Sequence, residues 1–178
     1  MWEVTLDEAS VQKAIDGLED YKRELDRKCE TLRQRVAEVM SKTAQHGFDG
    51  AIVDDYTEIT QDKLGIGPKK ASVSVSVTRE GNAMLVIASG QDAVFVEFGA
   101  GVTHNGSVGH SPNPLAEENG LPFKIGSHGE KGADPKWAFK DKGVKYWTYG
   151  TPAGMPMYRA VMAVAPQIAD IAREVFGA

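Results

Sequence analysis

The sequence predicts an α+β fold: a small antiparallel sheet packed against a long N-terminal helix and a C-terminal helix, with a long Gly-rich loop. Three observations carry that expectation. Residues 7–45 contain no proline and space their apolar side chains as a helix does, residues 72–78 alternate Ser-Val-Ser-Val-Ser-Val-Thr, and Pro156 opens a closing stretch of helical spacing. The 178 residues suit a single domain spanning 1–178, long enough to bury one core.

In the first stretch Val11, Ile15, Leu18, Leu25, Cys29, Leu32, Val36 and Val39 recur at intervals of three, four and seven, which places them on one side of a helix. Asp7 is suited to cap it, and Gly17 is the point at which it can break into a short first and a longer second helix. The stripe keeps nearly a heptad rhythm, but Lys22 and Thr43 fall on the seam. Docking onto the protein's own sheet is therefore favoured over a free coiled coil.

The alternation at 72–78 is the clearest strand, with valines to one face and serines to the other. Gly81-Asn82 then reads as a two-residue hairpin turn into the apolar run 83–88, a pairing that sets Val77 opposite Val86 and Val75 opposite Ala88. The second strand is apolar on both faces and is expected to lie deeper than the first. Residues 93–98 are either a third strand or a single helical turn. Residues 51–59 can add an edge strand, marked by Asp54, Asp55 and Glu58.

Between Gly99 and Pro156 stand eleven glycines and six prolines, a density at which regular structure gives way to loop. A mobile loop is expected at 102–134 and order from about Pro135, where aromatic residues around Asp141-Lys142-Gly143 suggest a second hairpin. In the last stretch Tyr158, Val161, Met162, Ala165, Ile168, Ala172, Val175 and Phe176 are expected to be buried, and Pro166 to kink the helix.

Composition excludes several classes. A formal charge of −5 lacks the basic excess on which non-specific nucleic-acid binding rests. No apolar run approaches the ~20 residues of a membrane span, and the acidic opening does not resemble a signal peptide. One cysteine, Cys29, permits no internal disulfide. The four histidines are not spaced for a metal, neither a Gly-x-Ser-x-Gly elbow nor a nucleotide loop is present, and no cofactor is expected. Glu97 is a carboxylate flanked by Val96 and Phe98, and hydrogen bonding to turn amides is favoured over acid chemistry.

The order of elements, together with Val96-Glu97-Phe98-Gly99-Ala100-Gly101 and the run from Gly150-Thr151-Pro152 to Arg159-Ala160, resembles the tail-completion and head–tail joining proteins of tailed bacteriophages. Ala100 stands where that family commonly has threonine. The resemblance implies a non-catalytic virion protein of the neck, made in the bacterial cytoplasm. It implies a ring, hexameric in the family, joining the head connector or head-closure protein to the tail tube or tail terminator, with DNA passing through unbound. Interface residues are expected among Glu97, Phe98, Gly99, Gly101, Trp137, Trp147 and Tyr149. Two rival classes stand beside this one: an adaptor acting through the long helix, and a small hydrolase using Glu97.

Overall fold

The computed structural model describes residues 7–54, 68–101, 111–119, 137–141, 144–148, 150–151 and 153–177. Expectations for Asp55, Glu58, Tyr149 and the greater part of 102–134 lie outside the described residues. The elements are α1 (Glu8–Asp49), β1 (Ile52–Asp54), β2 (Pro68–Lys70), β3 (Ser74–Glu80), β4 (Ala83–Ser89) and α2 (Ala93–Phe98). There follow β5 (Ala100–Gly101), β6 (Trp137–Asp141), β7 (Val144–Thr148), β8 (Gly150–Thr151), α3 (Pro156–Val164), a 3-10 turn (Ala165–Gln167) and α4 (Ile168–Phe176). The class is α+β as expected. The strands form four antiparallel pairs, β1 with β2, β3 with β4, β5 with β8 and β6 with β7.

Helix α1 runs unbroken for 42 residues, about 63 Å at 1.5 Å per residue. The break allowed at Gly17 does not occur. A single glycine costs a helix only about 1 kcal/mol, and no neighbouring element among the described residues calls for a turn at that level. Because a Cβ on Gly17 would meet nothing within 4 Å, Gly17→Ala is expected to stabilise the protein by about 0.5–1 kcal/mol, read as a raised denaturant midpoint.

Asp7 caps α1, accepting from the Ser10 amide at 2.8 Å. That bond and one from the Ser10 hydroxyl hold the Asp7 carboxyl below its ordinary pKa. A carboxyl whose pKa is lower folded than unfolded contributes stability above the unfolded value and loses it as pH falls through the folded one. The first turn of α1 is accordingly expected to fray under acid, with a lower amide protection factor at Ser10, and Asp7→Asn is expected to flatten that pH dependence.

The hairpin β3–β4 has the expected register, Val77 opposite Val86 and Val75 opposite Ala88. The serines of β3 are exposed and its valines half-buried, while β4 is half-buried over Met84–Val86 on both faces and so lies deeper. The free edge of β3 is satisfied by a helix side chain. Gln45 donates from Nε2 to the Val73 carbonyl at 3.1 Å and accepts at Oε1 from the Val75 amide at 2.7 Å, which fixes α1 against the hairpin.

Phe48, near the end of α1, is 1% exposed and forms the core with Val53 of β1 and Val96 of α2, joined by Ala51, Ala71, Val73, Val75, Ala88 and Met157. Residues 93–98 are helical rather than extended. The second hairpin also forms, β6 and β7 pairing Ala138 with Trp147.

Pro156 sits at the first position of α3, and the helix is interrupted at Pro166 by the 3-10 turn, as a missing amide donor requires. Its buried side matches the expected one at Tyr158, Ala172, Val175 and Phe176, which are half-buried, but not elsewhere. Ala160, Val164 and Ile171 are buried, whereas Val161, Met162, Ala165 and Ile168 are exposed. The two faces are about one residue apart in rotation, and α1 takes the one with small residues, where the helices approach closely. A Cβ on Gly47 of α1 would lie 2.9 Å from the Pro156 Cβ.

Candidate functional site

The two short stretches that carry the family resemblance are far apart in sequence and form one joint in space. Helix α2 ends at Gly99, which adopts a φ of 81° that glycine accommodates. The chain then enters β5, where Ala100 pairs with Thr151 and Gly101 with Gly150. From the other side the Gly154 amide donates to the Val96 carbonyl at 2.7 Å. The Gly/Pro-rich approach to α3 is thereby laced to the turn that follows α2.

Glu97 is the centre of this joint. Helix α3 begins after Met155, a left-handed residue whose side chain supplies no cap. The missing acceptor comes from Glu97. Its Oε2 accepts from the Met157 amide at 2.8 Å and its Oε1 from the Tyr158 amide at 3.0 Å. A carboxylate against the first turn of a helix satisfies donors that have no partner within the helix, and the helix dipole favours its negative charge. Glu97 is 8% exposed, so these bonds stand in place of water.

A third segment closes the site. Asn113, 3% exposed, donates from Nδ2 to Glu97 Oε1 at 2.9 Å and accepts at Oδ1 from the Leu115 amide at 3.0 Å. Residues 111–119, inside the loop expected to be mobile, are thus anchored, with Ala116 buried beneath their turn. Both carboxylate oxygens of Glu97 are engaged by amide donors of the same chain. Asp92 does a similar task one turn earlier, where its Oδ2 accepts from the Ser72 amide at 2.9 Å and ties α2 to the strand approaching β3.

Of the expected interface residues, Glu97, Phe98, Gly99 and Gly101 belong to this joint. Phe98 is half-buried and Gly99 buried, Gly101 lies in β5, and Trp137 and Trp147 belong to the backbones of β6 and β7. Asn113 and Asp92 were missed by sequence reasoning. The Asn-Pro pair at 113–114 signals a turn, but nothing in the chain announces that the turn reaches Glu97.

Among the described residues no group of three or more His, Cys, Asp or Glu side chains could hold a metal ion. No helix among them is long and apolar enough to cross a membrane. Fold and joint together define an α+β chain in which a buried carboxylate locks three distant segments and, among the described residues, a long helix stands partly free. No protein-family model, curated protein or solved structure matches the chain.

Proposed function

We propose that this chain is a structural protein of the phage neck, a ring-forming tail-completion protein that joins the head connector to the tail tube. The observation that carries the reading is the joint itself. The Val-Glu-Phe-Gly-x-Gly turn and the Gly/Pro-rich approach to the last helix, the two pieces on which the resemblance rests, bond to each other through Glu97, Val96 and the β5–β8 pair. Their co-occurrence in the sequence therefore has a physical reason, which supports reading them as one motif rather than two coincidences.

The chemistry at Glu97 supports a non-catalytic role. A general acid or base must reach a substrate proton, and this carboxylate is spent on helix amides and Asn113. The net charge of −5 suits a conduit that DNA traverses without adhering. Assembled particles are the site of action in this reading, with synthesis in the host cytoplasm. Disruption of the gene in the parent phage or prophage is expected to leave filled heads separate from finished tails in electron micrographs. Normal infectious particles would refute the proposal.

A further inference from the structure

Among the described residues two apolar surfaces are left uncovered. The ε-ammonium of Lys28 donates to the carbonyl of Phe176 at 3.5 Å, so α4 ends level with residue 28 of α1. Residues 8–27 continue past that point for about 30 Å, and every one of them is exposed. The apolar stripe nonetheless continues along them. Val11 is 42% exposed, Ile15 44%, Leu18 69% and Leu25 38%, with Tyr21 beside them at 64%. These positions prolong the line of Leu32, Val36 and Val39, which are half-buried.

The second surface is the outer side of α3 and α4. Val161 is 46% exposed, Met162 59% and Ile168 41%, and Ala165 and Ala169 are exposed among them. These residues recur at helical spacing from Val161 to Ala169, about 12 Å along the helix pair. Alanines separate the larger side chains of the strip, whereas the free half of α1 presents large ones along its length. Large side chains of one surface can then seat between those of the other, as ridges pack into grooves.

We infer that the free half of α1 docks on the outer strip of α3 and α4 of a second copy of this chain. Pairing of two α1 helices with each other is less well matched. In parallel register it sets Lys22 against Lys22 of the second copy within the seam and Lys28 beside Arg33, and like charges at such positions repel. On the strip, Arg159 lies one turn before Met162 and is exposed, while Glu19 and Asp26 flank the stripe of α1. The large apolar residues of the two surfaces expose on the order of 800 Å² together. With the alanines and flanking polar side chains, complete burial would approach roughly 1,000 Å², the lower bound for a specific interface. Because the two surfaces differ, the contact is head-to-tail and propagates from copy to copy, closing into a ring where the rotation allows. The inference deepens the ring-forming reading and rests on it for its biological setting.

The test uses the full chain and its mass in solution at high protein concentration. Wild type is expected to associate. Leu18→Lys, which spoils the projecting helix, and Ile168→Lys, which spoils the strip, are each expected to weaken association at least about tenfold. Met162→Lys, at a more exposed position, serves as a second strip variant should Ile168→Lys fail to fold. Mixing the helix variant with a strip variant is expected to restore one intact interface and yield one-to-one pairs that grow no further. Association unaffected by the strip variants, with no pairs on mixing, would overturn the inference in favour of pairing between α1 helices. A monomeric wild-type chain would also overturn it while leaving the neck reading to the disruption experiment.

Discussion

Replacing Glu97 with alanine is expected to lower the unfolding free energy by about 3 kcal/mol. Two contributions add. The first turn of α3 loses the side-chain acceptor that caps it, and removing a helix N-cap alone costs about 0.5–2 kcal/mol. The Asn113 amide, left with only its long 3.5 Å bond to the residue-97 carbonyl in a buried setting, adds about 1–3 kcal/mol unless water enters. For a chain of this length the midpoint of thermal unfolding should fall by roughly 6–12 °C. Glu97→Gln should recover part of the loss, since its one carbonyl oxygen still accepts, but its amide nitrogen cannot accept from a helix N–H. Asn113→Ala should couple non-additively with Glu97→Ala, because the two side chains share a bond. An unchanged midpoint in Glu97→Ala would show that α3 does not depend on the cap.

The reach of Glu97 also marks where sequence legibility stops. Periodicity announced α1, the β3–β4 hairpin, the β6–β7 hairpin and the kink at Pro166, because each is decided by residues close together in the chain. The Gly81-Asn82 turn fixed its register outright, since a two-residue loop leaves no freedom to slip. Residues 93–98 stayed ambiguous because six apolar residues fit a helix and a strand equally. What settled them is the Asp92 bond to Ser72 and the Glu97 bonds to α3, partners 20 and 60 or more residues distant.

The buried side of α3 was misjudged for a related reason. Apolar residues occupy more than half of its circumference, so composition could not tell the face that meets α1 from the face that remains outside. Close approach at Gly47 selected the edge bearing Ala160, and that choice left Val161, Met162 and Ile168 in water. Likewise the heptad rhythm of α1 was legible, but the length of its intramolecular partner was not. Only the meeting of Lys28 with Phe176 reveals that half of the stripe outruns α4.

The largest effect of a single substitution is expected at Gly90. It joins β4 to α2 with a φ of 136°, and a Cβ there would lie 2.2 Å from the Ser72 carbonyl oxygen and 3.2 Å from the Val73 Cα. Neither atom can give way easily, because the Ser72 amide is held by Asp92 and the Val73 carbonyl by Gln45. Gly90→Ala therefore combines backbone strain of about 1–3 kcal/mol with a clash against backbone fixed at both ends, for a loss on the order of 4 kcal/mol or more. Gly81 supplies the control. Its φ of 57° is also positive, but a Cβ there meets nothing within 4 Å, so Gly81→Ala should lose only about 1–2 kcal/mol. Denaturant unfolding of the two variants separates strain from crowding, and equal losses would mean that the chain at 72–73 does not press on Gly90. Because the same crossing sets the start of α2, a displaced residue 90 should also move Glu97 off the first turn of α3. Amide exchange at Met157 and Tyr158 should then rise in Gly90→Ala while remaining slow in Gly81→Ala.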